Sequence, residues 1–241
     1  MKLTVFPFLL LFSGCAVIPV IPNDHYVFKE MLPLAEKGDP EALYYVGMLY
    51  QEGLGVDQDY KKAFEWFQKS AAANDPLGAF KVACYYHSQG EGIVTDDPGK
   101  AFEYDMVAAK AGYAPAQFDI GNFYYDEGNF PEAVKWWKVS ADQGFPRALF
   151  NLSTVYFQGK AVAQDLPLAY AYFKLSKLTS EKRVNPEAQK QLDEIASKMS
   201  RTDLEQAGKL ISDWNALPTP LTSRAMEGMD AAREKVRKLH S

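Results

Sequence analysis

The side chains with the widest chemical reach in this chain are three histidines and two cysteines, and their spacing restricts what they can do. His25, His87 and His240 stand far apart, and neither they nor Cys15 and Cys84 form the close pairs that hold a metal ion. Gly53-Leu54-Gly55 and Gly90-Glu91-Gly92 read as turns, not as the strand-to-helix junction that cradles phosphate. Carboxylates are plentiful, but none sits in a paired motif. His87 with Asp126 is the one acid–base couple on offer, and it reads as groove surface before it reads as a general base with its orienting partner. No catalytic residue, metal ligand or cofactor is expected. A hydrolase stays as a third reading, to be recognised by activity that depends on His87. The net charge of −5 argues against nucleic acid, which needs a surplus of Lys and Arg.

Cys15 has a chemistry of its own. Lys2 is followed by the apolar run Leu3–Phe12, then Ser13, Gly14 and Cys15, the pattern of an export signal. The run is too short for an ordinary transmembrane span. Phe12-Ser13-Gly14-Cys15 resembles the bacterial lipobox, with Phe12 where Leu is usual. That resemblance implies a diacylated Cys15 as the first mature residue, held on a membrane by chains worth about 0.8 kcal/mol per buried CH₂. Ala16, in place of Asp, favours the outer membrane by resemblance to enterobacterial lipoproteins, with the protein on the periplasmic face. The alternative is a plain secretory signal and a soluble periplasmic or secreted protein. Lipidation of Cys15 would leave Cys84 without a bridging partner, either facing a groove or packed as a small apolar group.

The elements that would position these residues repeat along the chain. Four segments align: Gly38-Asp-Pro-Glu-Ala42 to Tyr50, Asn74-Asp-Pro-Leu-Gly78 to Tyr86, Gly112-Tyr-Ala-Pro-Ala116 to Tyr124, and Gly144-Phe-Pro-Arg-Ala148 to Tyr156. A second marker set follows each Tyr: Ala63 and Trp66, Ala101 and Tyr104, Ala133 and Trp136, Ala169 and Tyr172. Two marker sets recurring with the same periods point to stacked helix pairs. Ala42, Val46, Gly47 and Tyr50 share one helix face. Asp59, Asp97, Asn129 and Asp165 are suited to cap the second helix of each pair. The third unit lacks the longer loop after Gly128.

The first unit, Ala42…Val46-Gly47…Tyr50…Gly53-Leu-Gly55-Val…Asp59-Tyr60…Ala63…Trp66…Ala71-Ala72, resembles the Sel1-like repeat, a relative of the tetratricopeptide repeat. The resemblance spans residues 38–178. It implies an all-α, right-handed α-solenoid of helix–turn–helix repeats with capping helices, and a surface that binds another protein. The organisation expected is an export signal at 1–14, a mature N-terminus and leading cap helix at 15–37, four repeats at 38–178, C-terminal capping helices at 179–216, and a linker with a terminal basic helix at 217–241. Pro33 should kink the leading helix. Asn185-Pro186 should open a helix, and Thr202-Asp-Leu-Glu205 reads as a capping box for the next. The basic end, Arg233 to His240, reads as a solvated helix terminus or a contact with anionic lipid.

In repeats of this kind the first helices line the concave side, so the positions between packing markers would meet a partner. Met48, Cys84, Asn122 and Thr154 form one row; Gln51, His87, Tyr125 and Phe157 the next; Glu52, Ser88, Asp126 and Gln158 lie beside them. The aromatic row Tyr44, Phe80, Phe118 and Phe150 is read as packing. Some exported bacterial members of the family act as immunity proteins against a phospholipase effector delivered by type VI secretion, and that is the specific function the resemblance implies. The alternative is a scaffold lipoprotein for envelope assembly, cell-wall or polysaccharide machinery.

Overall fold

The computed structural model describes residues 22–90, 92–180 and 186–240. The segment expected to be an export signal, Cys15, Ala16 and Asn185, expected to open a helix, lie outside the described residues. Four helix pairs follow in order: α2 (Pro40–Glu52) with α3 (Tyr60–Ala72), α4 (Pro76–Cys84) with α5 (Pro98–Lys110), α6 (Ala114–Asp126) with α7 (Phe130–Asp142), and α8 (Pro146–Gln158) with α9 (Leu166–Thr179). Each helix packs on its neighbour in sequence, so the pairs stack into an array. α1 (Asp24–Glu36) leads, and it continues past Pro33 without ending.

Local chemistry accounts for the repeat. Each second helix opens on a side-chain cap: Asp59, Asp97, Asn129 and Asp165 accept backbone N–H groups of Lys62, Lys100, Glu132 and Leu168. A cap of this kind stabilises a helix by about 1 kcal/mol. Each first helix carries a proline in its opening turn, where the missing N–H costs nothing. Within pairs one and three the helices approach so closely that a methyl on Gly47 would lie 2.6 Å from the Phe67 ring, and one on Gly121 would strike the Trp137 indole. Only glycine admits those aromatics. One apolar cluster centres on the first two repeats and another on the last two, with the small residues Ala108, Ala109 and Ala116 beside Ile120 between them.

Beyond the repeats, α10 (Pro186–Ser197) and α11 (Arg201–Asp213) cover α9. The capping box of α11 is formed by Ser200 and Asp203, two residues before the one expected at Thr202, because Ser200 is the residue in extended conformation at the helix entry. The stretch expected as a linker is not one. Thr219 caps α12 (Pro220–Glu227), Gly228 breaks the chain at φ 54°, and α13 (Met229–Leu239) packs on α1 and α2, burying Ala232 and Val236. No helix among the described residues is long and apolar enough to cross a membrane.

Candidate functional site

An open groove of about 370 Å³ lies where α6, α7 and α8 meet. Asn122, Tyr125 and Asp126 come from α6, Trp137 from α7, and Phe150, Asn151 and Thr154 from α8. Its floor is fixed by two hydrogen bonds: Trp137 Nε1 and Asn151 Nδ2 both donate to Asn122 Oδ1, each at 3.1 Å. The Tyr125 ring leans on Trp137 and Phe130, with centroids 5.3 and 5.2 Å apart. Tyr125 and Phe150 remain 38% and 41% exposed, and Asp126 stands exposed at the rim. Two aromatic faces held rigid beside amide and carboxylate groups form the kind of surface that anchors a protein partner.

The groove thus brings together Asn122, Tyr125, Asp126 and Thr154 from the expected rows and adds two residues from outside them. Phe150 belongs to the row read as packing, where Tyr44 and Phe118 are buried, yet it opens to solvent at the end of that row. Trp137 reaches the groove from a second helix. Other members of the expected rows lie elsewhere. Met48 packs against the first core cluster. Gln51 accepts a hydrogen bond from Lys81 Nζ at 3.4 Å and donates one to exposed Glu52 at 2.7 Å. Phe157 is withdrawn: it packs against the cluster of Phe173, Leu192 and Ile195 beneath α10, with Lys198 Nζ 4.5 Å from its ring centroid. Gln158 is exposed beside it.

His87 does not pair with Asp126. Its Nε2 lies 2.7 Å from Oδ2 of Asp105 on α5, whose carboxylate side chain is 1% exposed. The hydrogen bond and charge of Asp105 raise His87, against burial that lowers it; burial in turn raises Asp105. Cys84, one turn before His87, is a free, half-buried thiol that burial pushes up to about 12, which disfavours its thiolate at neutral pH.

A second edge of the array, formed by the turns between repeats, is already occupied. The C-terminal segment runs back along it against the chain direction. Leu217 N donates to Asp142 O, and Thr219 N and Thr222 Oγ1 both donate to Gln143 Oε1 at the fourth turn. Thr219 Oγ1 donates to Gly112 O at the third. Arg224 then bridges Asp75 at 2.6 Å and Glu41 at 2.8 Å, and Lys235 meets Asp39 and Glu41 at 3.1 and 3.0 Å. Arg233 reaches Asp24 on α1. The basic end is thus only partly engaged within the chain: Arg233 and Lys235, with Arg224 on α12, face acidic groups of α1 and the first two repeats, while Arg237 and Lys238 pair with Glu234 of their own helix and stay exposed.

Stacked helix pairs with an aromatic groove on one face define a helical-repeat binding array. The Sel1 repeat family matches residues 40–75, 76–104, 114–145 and 146–177, and the chain belongs to that family. Sel1 repeats mediate protein–protein interaction, and their proteins are in general non-enzymatic scaffolds. A putative Sel1-like repeat-containing protein of Acanthamoeba polyphaga mimivirus is 28% identical over 63% of this chain and 29% of its own length. The chain thus spans under a third of that relative. Among solved structures, a Sel1 repeat protein from Oxalobacter formigenes superposes with a TM-score of 0.62 at 25% identity, over 72% of this chain and 49% of that one. The immunity protein Pa5087 from Pseudomonas aeruginosa matches with a TM-score of 0.47 at 17% identity, over 84% of this chain and 80% of that one, too distant a likeness to carry an argument.

Proposed function

We propose that this protein is a non-enzymatic binding module that captures a folded protein partner in the groove of its third and fourth repeats. The observation that carries the reading is the pair of exposed aromatics, Tyr125 and Phe150, held over a hydrogen-bonded floor. Rigid aromatic anchors lose little conformational entropy on binding, which is why they dominate interface energetics. The signal-like pattern of residues 1–15 supports a periplasm-facing, lipid-anchored location through Cys15, and the resemblance to exported Sel1-like immunity proteins supports neutralisation of a phospholipase effector as the specific role. A titration of the full chain against a phospholipase effector encoded beside it tests that role. A nanomolar complex, weakened at least tenfold by Tyr125→Ala with Phe150→Ala, is expected; no complex would sink it. Palmitate labelling lost in Cys15→Ser tests the anchor independently.

A further inference from the structure

One repeat departs from the pattern of the other three. Eight residues after the cap of each second helix stands a core side chain: Phe67, Trp137 and Phe173 in repeats one, three and four, but Asp105 in repeat two. All four positions are almost fully buried. The family match in that repeat stops at residue 104, one position short. A buried carboxylate in place of an aromatic ring is costly unless something compensates it. Compensation here comes from a distortion. α4 gives way to a π-helical turn, Tyr85–Gln89, in which Ser88 takes φ 94°, and His87 in that turn reaches Asp105. A non-glycine residue in that conformation carries strain that the surrounding contacts must hold. Asp105 Oδ1 remains buried and, among the described residues, without a hydrogen-bond partner.

A second carboxylate is coupled to the pair through its charge. Asp119 lies on α6 one turn before Asn122, and it forms no hydrogen bond to a side chain among the described residues. Burial and the charge of Asp105 push it up to about 7, against the pull of His87 and Arg147. The other ionisable groups around the cluster are Asp96 in the loop, Lys81 and Cys84 on α4, and Tyr113 at the turn before α6.

We propose that the His87–Asp105 bond is a proton-operated latch, which pins the strained end of α4 against α5 when His87 is protonated and loosens it as the pH rises, with the charge of Asp119 on α6 biasing the same equilibrium. The inference stands whatever occupies the neighbouring groove. All three groups hold protons more tightly in the folded chain than in the unfolded one. The stability they supply is thus fully present below their unfolded values and is lost as pH rises through the folded ones. For Asp119 the loss accrues from the ordinary carboxylate range up to about 7, and for His87 from 6.5 upward.

Amide hydrogen exchange of the full chain, corrected for intrinsic rates, reads this directly. Between pH 5.5 and pH 8, protection of residues 81–88 should fall by about tenfold, the equivalent of one pKa unit, while α8 amides stay level. Asp119→Asn, an isosteric mimic of the protonated acid, should keep more protection at pH 8 and flatten the dependence. In an NMR titration the three histidines are few enough to resolve, and Asp105→Asn should bring the His87 midpoint down. Protection that does not change with pH, that changes equally in α8, or whose dependence survives both Asp119→Asn and Asp105→Asn unaltered overturns the latch.

Discussion

The edge of inter-repeat turns and the groove face are built from the same four repeats and end in opposite states. Along the edge, every turn meets a group supplied by the chain itself: Asp142 and Gln143, Gly112, Asp75 and Asp39 are each engaged by the segment from Leu217 to Lys235. On the groove face, Tyr125, Asp126 and Phe150 meet solvent. The edge is polar, acidic and answered by matching cations. The groove is aromatic and unanswered. Repetition alone therefore does not decide which surface is free for a partner; the non-repeating tail does.

That contrast can be broken from either side. The largest effect is expected from deleting residues 217–240, which uncovers the buried Ala232 and Val236 contacts and strands Asp75. Urea unfolding followed by circular dichroism should show a loss of about 5 kcal/mol or more, combining apolar exposure with an unpaired buried charge. Next comes Arg224→Met, which leaves the 2%-exposed Asp75 carboxylate without its cation and should cost about 3 kcal/mol. Adding Asp75→Asn should return part of that loss, and strict additivity in the double-mutant cycle would refute the coupling.

Acid should loosen the edge before the groove. Burial raises the Glu41 carboxyl, but the hydrogen bonds and charges of Lys235 and Arg224 together outweigh it and hold Glu41 below its ordinary value of 4.5. A depressed carboxylate contributes stability that is present above its unfolded value and lost as pH falls through the folded one. Stability should therefore decline below about pH 4.5, more steeply in wild type than in Glu41→Gln, as followed by thermal melts across that range. The smallest effect belongs to the rim. Asp126→Arg should leave stability within about 0.5 kcal/mol of wild type, while changing partner affinity and its salt dependence in calorimetric titrations.

The repeats were legible because their causes are local. Pro40 and Pro76 in opening turns, Asp59 and Asp165 as caps, and Gly47 and Gly121 at close approaches are short-range signals recurring at a period. The tail was not legible, because Arg224 finds Asp75 and Arg233 finds Asp24 across most of the chain, and neither pairing has a period or a spacing rule. The His87–Asp105 bond was missed for a different reason. The markers Tyr104 and Trp136 stop one residue short of the position where Asp105 replaces an aromatic, so the anomaly stood next to the pattern and outside it. Phe157 was misplaced because exposure at the last repeat depends on whether α10 covers it, which no property of the repeat encodes.

The returning tail also changes how the molecule should come apart. A linear array stores its stability between neighbours and frays from whichever end is weaker. Here α13 rests on α1 and α2 while Leu217 and Thr219 hold the fourth turn, so first and last repeats share one segment. The line is closed into a circuit, and neither end can peel away without opening the other. Closing that circuit demands contacts between residues far apart in sequence, which slows folding relative to an open stack of the same length.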